Sequence, residues 1–113
     1  MNIKNLTIKS QEALQLAQQI AQENSNPQLE NEHIMKAILE VDENVTPFIL
    51  KKLNVNVDLF KKVIDSTIQS FAKSQGSEIM MSRDAASMIT EANIIAKKMN
   101  DEYTSIEHLL LAI

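Results

Sequence analysis

Residues 7–38 and residues 82–113 match one another at a constant shift of 75 positions, with no gap. The matched positions are residues that begin helices, apolar residues at helical spacing and a Glu-His pair: Thr7 with Ser82, Ala17 with Ala92, Ile20 with Ile95, Ala21 with Ala96, Glu32 with Glu107, His33 with His108, Ala37 with Ala112 and Ile38 with Ile113. Caps align with caps and apolar faces with apolar faces, which indicates a structural repeat. The sequence therefore predicts two similar helical units that are related by a pseudo-twofold axis and share one core.

The residues that form tight turns between strands are scarce in this chain. Its 113 residues include one glycine and two prolines, whereas two-residue hairpins depend on glycine. Good helix formers dominate, and their apolar members recur at spacings of three and four residues. We predict an all-α fold of about six helices.

Capping residues locate the starts of these helices. In chain order, the predicted starts are Thr7, Asn31, Thr46 followed by Pro47, Asn56, Ser82 and Thr104. The last helix is predicted to begin with a capping box, in which the Thr104 hydroxyl and the Glu107 carboxylate each satisfy a backbone amide. The helical spacing also predicts buried side chains at Phe48, Ile49, Leu50 and Leu53, at Leu59, Phe60, Val63, Ile64 and Ile68, and at Met88, Ile89, Ile95 and Met99.

The repeat sets the expected domain organisation. The first repeat covers residues 7–73, a linker with Gly76 covers 74–81, and the second repeat covers 82–113. Counterparts of the third and fourth helices would fall at about 121–148, past the last residue, so the second repeat is incomplete. We therefore expect the sequence to be a fragment of a longer protein, with apolar surface that a partner chain could cover.

Charge and hydropathy exclude several classes of partner. The net charge is −4, whereas nucleic-acid binding relies on clustered Lys and Arg. No run of 18 apolar residues and no secretory signal are found in the sequence, so we expect no membrane association. Cysteine is absent. A cytoplasmic protein is the expectation.

The sequence contains no recognisable catalytic motif. A phosphate-binding loop and a nucleophile elbow each need several glycines, and Gly76 is the only one. His33 and His108 are the only histidines, and without cysteine or an H-E-x-x-H spacing a zinc site has little support. Their matching repeat positions predict a shared role at helix starts. We therefore expect a binding domain and not an enzyme.

A capped long helix, followed by a Glu-His pair at the start of an apolar helix and repeated after 75 residues, resembles the double Clp N-terminal repeat. The resemblance covers essentially the whole chain. Within that family, the motifs LTIKSQEA at 6–13, ENVTP at 43–47 and LNVN at 53–56 are similar to ClpB-type disaggregases more than to ClpA or ClpC relatives.

This resemblance implies a mobile N-terminal domain, tethered to a hexameric AAA+ ring, that recruits unfolded or aggregated polypeptide for the ring to pull. It implies no cofactor in this part of the protein, with ATP and magnesium in the ring. It also implies that the parent protein is a homohexamer that cooperates with a DnaK-type chaperone system. Two alternatives stay open: an adaptor-docking domain of a ClpA- or ClpC-like unfoldase, and a free-standing helical protein with a structural role.

The resemblance carries over four polar candidates for substrate binding: Thr7, Ser82, Asp101 and Glu107. Each has an alternative structural interpretation, the first three as helix caps or loop residues and Glu107 as half of a capping box. Tyr103 and Ile106 lie beside Asp101 and Glu107 in the sequence and are the predicted apolar contacts. Together they would line an apolar groove near the first helices of the two units.

Two further groups of residues have both a structural and a functional interpretation. Met80 and Met81 precede the Ser82 cap, where they either pack against the helix or stay exposed for binding varied apolar sequences. The lysine pairs at 51–52, 61–62 and 97–98 are typical of solvated helix faces, with docking to an acidic partner as the alternative.

Overall fold

The computed structural model describes residues 5–74 and 78–113. Six helices form in these residues: α1 (Ile8–Glu23), α2 (Asn31–Val41), α3 (Val45–Lys52), α4 (Val57–Ser70), α5 (Arg83–Lys98) and α6 (Ile106–Ala112). Two strands of two residues each, β1 (Gln28–Leu29) and β2 (Met80–Met81), pair in parallel. The all-α prediction is confirmed, although the two short strands were not predicted.

Two similar helical pairs form the repeated part of the fold. Helix α1 packs against α2, and α5 packs against α6 in the corresponding way. Each repeat also donates a backbone hydrogen bond to the other. The Ser82 N–H donates to the Leu29 carbonyl at 3.0 Å, and the Thr7 N–H donates to the Thr104 carbonyl at 2.9 Å. A shift of 75 positions converts one of these bonds into the other. The predicted relationship between the repeats is therefore present in the hydrogen bonding.

One hydrophobic cluster contains side chains from both repeats. Its largest fully buried members are Ile34, Ile38, Ile68, Ile89 and Leu109. Helix α4 contributes Ile68 by packing on α2. Burial of these branched side chains stabilises the fold by about 1.5–3 kcal/mol each relative to exposure.

The helices end without glycine. Ser25, Asn54 and Asn100 follow the C-caps of α1, α3 and α5 with φ angles of 56°, 59° and 58°. After α1, the Asn26 N–H donates to the Ala21 carbonyl at 2.9 Å and the Ser25 N–H donates to the Gln22 carbonyl at 3.0 Å. This pair of bonds is the Schellman arrangement, which needs one left-handed residue and usually employs glycine.

The start of α3 differs from the prediction. The helix begins at Val45, so Thr46 is its second residue and not its cap. The cap is supplied by Asp42, whose carboxylate accepts hydrogen bonds from the N–H groups of Asn44, Val45 and Thr46 at 2.8–3.1 Å and from the Thr46 hydroxyl at 2.7 Å. Pro47 is the third helical residue, where its missing N–H still removes no bond within the helix.

Several predicted core positions are exposed. Phe48 and Leu53 of the α3 region are 61% and 67% exposed, and only Leu50 of that group is buried. Leu59 and Val63 of α4 and Met99 after α5 are also exposed, whereas Met88 is buried as predicted. The helical spacing overestimated burial in α3 and α4 because these helices pack on one side only.

The predicted linker at 74–81 contains Gly76, which lies outside the described residues. Within that linker, Met80 and Met81 form β2 and pair with β1 in the register Gln28 to Met80 and Leu29 to Met81. An isolated bridge between Leu6 and Thr104 is the repeat equivalent of the pair formed by Leu29 and Met81.

Candidate functional site

Thr7 both caps a helix and joins the two repeats. Its hydroxyl oxygen accepts from the Ser10 N–H at 3.2 Å and its hydroxyl donates to the Ser10 Oγ at 2.9 Å. Its own N–H donates to Thr104 of the second repeat. The next residue, Ile8, is 76% exposed because it lies opposite the buried stripe of α1.

The loop at 101–105 lies next to Thr7 and is held at both ends by His108. Nδ1 of His108 accepts from the Ser105 N–H at 2.8 Å, and Nε2 lies 2.9 Å from Oδ2 of Asp101. Since Nδ1 accepts a backbone N–H, the ring hydrogen of the uncharged imidazole is on Nε2 and donates to Asp101. We call Ser105, His108 and Asp101 the second clamp.

The first repeat contains the same arrangement. Nδ1 of His33 accepts from the Glu30 N–H at 2.9 Å, and Nε2 lies 2.9 Å from Oδ1 of Asn26. We call Glu30, His33 and Asn26 the first clamp. The predicted role of both histidines at helix starts is confirmed, because each forms the capping box of its own helix.

The predicted capping box of Thr104 and Glu107 is therefore wrong. The N-cap of α6 is Ser105, and its partner in the box is His108. Thr104 is engaged elsewhere: it forms the bridge to Leu6, and its hydroxyl donates to Oδ1 of Asn93 at 2.6 Å. The Glu107 carboxylate is exposed and accepts from the Ser105 hydroxyl at 2.8 Å.

The two predicted apolar contacts have different environments. Tyr103 is 51% exposed, whereas Ile106 is 3% exposed and belongs to the hydrophobic core. Ile106 is therefore not a surface residue, because it begins the inner face of α6 together with Leu109. The surface at this end of the molecule comprises Thr7, Ile8, Asp101, Tyr103 and Glu107, and we call it the Thr7 rim. Sequence reasoning missed Ile8, although its position off the apolar stripe of α1 could have identified it.

Ser82 occupies the pseudo-equivalent end of the molecule. It is buried, its hydroxyl oxygen accepts from the Ala85 N–H at 3.0 Å, and its N–H donates to Leu29. It contacts the first repeat, so it does not join the group around Thr104. Of the two methionines before it, Met80 is 69% exposed. Met81 lines a cleft of about 200 Å³ with Leu14, Leu29 and Ile79.

A second apolar cleft lies between α2 and α4. It has a volume of about 380 Å³ and is lined by Met35, Phe60, Val63, Thr67 and Ile113, among others. The neighbouring residue Leu59 is 59% exposed. This cleft is lined mainly by residues of α2 and α4, and none of its lining residues belongs to the Thr7 rim.

The pKa of His33 is lowered, and burial is the largest cause. The Glu30 carboxylate acts to raise this pKa, and the Lys36 ammonium acts to lower it.

At residues 5–74 and 78–113, no group of three His, Asp or Glu side chains is arranged to hold a metal ion. None of the helices found in those residues is long and apolar enough to cross a membrane.

Known proteins are similar to this chain in sequence or in fold. A chaperone protein ClpB from Bacteroides thetaiotaomicron is 41% identical over 113 residues, which are 100% of this chain and 13% of that protein. The crystal structure of the Hsp104 N-terminal domain from Candida albicans has a TM-score of 0.87 and 22% identity, and the match covers 96% of this chain and 73% of that one. A complex of a ClpV N-domain with a VipB peptide has a TM-score of 0.83 and 22% identity, with 97% and 68% covered.

The chain thus spans a small part of the ClpB relative that it matches, and the two solved structures show that it has their fold. The family described as the Clp repeat (R) N-terminal domain matches residues 5–113. Because that match includes nearly every residue of the sequence, the chain belongs to the Clp repeat (R) N-terminal domain family.

Proposed function

We propose that this domain recruits unfolded or aggregated polypeptide through the Thr7 rim, as part of a longer ClpB-like chaperone. One observation carries the proposal. Ile8 and Tyr103, which are 76% and 51% exposed, each adjoin a residue of the hydrogen bond between Thr7 and Thr104. An aliphatic and an aromatic side chain are therefore both exposed next to the backbone hydrogen bond that joins the two repeats.

The chemistry of the rim suits an extended chain. Covering a large apolar side chain is worth about 1.5–3 kcal/mol before the polypeptide is ordered. The exposed carboxylates of Asp101 and Glu107 are acceptors for the backbone N–H groups of such a chain. Two apolar anchors give at most about 6 kcal/mol before the ordering cost. Binding is therefore weak, with dissociation constants of about 100 μM or higher.

The comparisons support this proposal without testing it. The relative from Bacteroides thetaiotaomicron is a chaperone protein, and the ClpV N-domain was solved with a peptide. We propose that the longer protein supplies an ATPase ring with ATP and magnesium, assembles as a homohexamer and cooperates with a DnaK-type system. In this proposal the domain itself needs no cofactor and performs no catalysis.

Docking of a folded adaptor is the second candidate function, and a different surface favours it. Leu59 and Val63 are exposed one turn apart on α4, at 59% and 54%. Beside them lies the cleft of about 380 Å³ between α2 and α4. A preformed helical face of this kind suits the rigid surface of a folded partner.

An NMR titration with a permanently unfolded polypeptide distinguishes the two functions. We expect shifts at Ile8, Tyr103 and Glu107, and we expect Tyr103→Ser to weaken binding at least about fivefold, since one anchor is lost. Phe48→Ser is the matched control, because Phe48 is an aromatic residue with 61% exposure on α3. Equal loss in both variants, or shifts confined to Leu59 and Val63, would contradict recruitment through the rim.

A further inference from the structure

His108 fixes the loop that carries Asp101 and Tyr103 of the Thr7 rim. Its side chain is 5% exposed, and its two nitrogens bond to Asp101 at the start of the loop and to the Ser105 N–H at its end. Tyr103 lies between these two anchors. The Ser105 hydroxyl also holds the Glu107 carboxylate at 2.8 Å. One imidazole ring therefore sets the positions of Tyr103 and Glu107 together.

The clamp requires an uncharged ring. When imidazole takes up a proton, both nitrogens become donors. Nε2 still donates to Asp101, now as an ion pair, but Nδ1 can no longer accept from the Ser105 N–H. The Ser105 Oγ, 3.0 Å from Nδ1, becomes the available acceptor. The Ser105 N–H then loses its partner, and the end of the loop at Ser105, which contacts the Glu107 carboxylate, is released.

The two clamps differ in the partner of the ring and in its exposure to solvent. His33 is fully buried, its partner Asn26 is a neutral amide, and the ring of Phe71 lies edge-on to it at 5.5 Å. The partner of His108 is instead a carboxylate, and the side chain of Asp101 is 47% exposed. The first clamp also contains a carboxylate, that of Glu30, but no carboxylate is the partner of the His33 ring nitrogens. In the second clamp the partner of Nε2 is itself a carboxylate that is in contact with solvent.

The charged groups around His108 come from three elements. On α6 the nearest is Glu107, which reaches the ring through Ser105, and in the loop they are Asp101 and the exposed Glu102. Helix α5, which packs against α6, ends with the exposed Lys97 and Lys98. Among the described residues, the Asp101 carboxylate bonds to the His108 ring directly and the Glu107 carboxylate bonds to it through the Ser105 hydroxyl. The charge next to the ring is therefore negative.

From this geometry we propose that His108 is a positioning residue of the Thr7 rim, and that binding of polypeptide there weakens when the imidazole is protonated. The inference rests on the proposed function, since it concerns the same surface. It makes polypeptide binding at the Thr7 rim sensitive to acidification through the second clamp. The first clamp has the same hydrogen-bond arrangement but does not hold this surface.

The test compares affinity for a histidine-free unfolded polypeptide at about pH 7.5 and about pH 5.5, the range over which imidazole side chains change charge. We expect the wild-type affinity to fall about fivefold, the equivalent of losing one helix cap of about 1 kcal/mol. His108→Gln does not titrate, so its affinity, whatever its level, should be the same at the two pH values.

A spectroscopic measurement on the free wild-type chain supplies the second readout. The imidazole ¹⁵N signals of His108 should show the Nε2–H tautomer at the higher pH, and the amide signals of Tyr103 and Ser105 should move together with ring protonation. His33→Gln is the control and should leave the pH dependence of binding unchanged. Binding that is equal at both pH values would overturn the inference alone, whereas no binding at either pH would overturn the proposed function with it.

Discussion

Nε2 of the buried His33 lies 2.9 Å from Oδ1 of Asn26. The amide nitrogen of Asn26 in turn donates to the carbonyl of Ala72 at 3.1 Å, so the pair connects the end of α1, the start of α2 and the residues after α4. A titratable group therefore lies within the network that joins three helices of the first repeat.

The first prediction concerns the stability of this network against acid. Burial chiefly lowers the pKa of His33 from its ordinary value of 6.5, so the unfolded chain takes up this proton at a higher pH than the folded chain. The contribution is thus fully present above pH 6.5 and is lost as the pH falls from there towards the folded pKa. Urea unfolding should give a lower free energy of unfolding at about pH 5.5 than at about pH 7.5.

His33→Gln provides the comparison for that prediction. Glutamine is the usual residue at the third position of a capping box and carries no titrating ring. The variant should show a smaller difference in unfolding free energy between the two pH values than the wild type. A wild-type chain that is equally stable at both would contradict the prediction.

The second prediction concerns the cap of α3. Burial acts to raise the pKa of Asp42, but hydrogen bonds from Thr46, Asn44 and Val45 outweigh it and hold that pKa below its ordinary value of 3.8. Asp42→Ala should lower the free energy of unfolding by about 1–3 kcal/mol, because it leaves these donors without an acceptor. Below pH 3.8 the difference between wild type and variant should shrink, since the stabilisation is present above that value and is lost as the carboxylate is protonated.

Glu43→Ala is the control, because Glu43 is the adjacent acidic residue and is exposed. Its effect on the unfolding free energy should stay within about 0.5 kcal/mol. Similar losses in the two variants would show that the cap of α3 does not depend on Asp42.

The third prediction uses the left-handed residues that end the helices. Ser25 and Asn100 have φ angles of 56° and 58°, a region in which a side chain costs about 1 kcal/mol relative to glycine. Ser25→Gly and Asn100→Gly should each raise the midpoint of thermal unfolding by about 2–6 °C. Ser87→Gly, on the exposed face of α5, should lower it instead, because glycine in a helix interior is destabilising. A lower midpoint for both end variants would contradict the interpretation of these turns.

The fourth prediction concerns the side-chain bond that fastens Thr104, whose backbone contacts the first repeat, to helix α5 of its own repeat. The Thr104 hydroxyl, in a residue 1% exposed, donates to Asn93 at 2.6 Å. Thr104→Val keeps the shape and removes the donor, so the free energy of unfolding should fall by about 1–2 kcal/mol. Thr90→Val is the same substitution at an exposed site on α5 and should change stability by less than about 0.5 kcal/mol. Chemical denaturation of both variants checks the difference.

The sequence predicted some features of the candidate site correctly and others wrongly. The Glu-His pairs predicted helix starts correctly, because a residue at the third helical position reaches back to the cap whatever surrounds it. The assignment of Thr104 and Glu107 to a capping box was wrong because the same hydroxyl could serve a helix start or the neighbouring helix. Only the approach of Leu6 and Asn93 decided in favour of the second role.

The sequence by itself determined the helical class, the repeat and the starts of most helices, because capping, helix propensity and apolar spacing act over a few residues and leave a local pattern. The tertiary structure alone decided that Ile106 is buried while Ile8 and Tyr103 are exposed, and that Phe48 and Leu53 have no covering helix. It also decided that the repeats exchange backbone hydrogen bonds through strands of two residues. These features depend on which elements pack together although they are distant in the sequence. The spacing of apolar residues shows which face of a helix is apolar, but it does not show which other element covers that face.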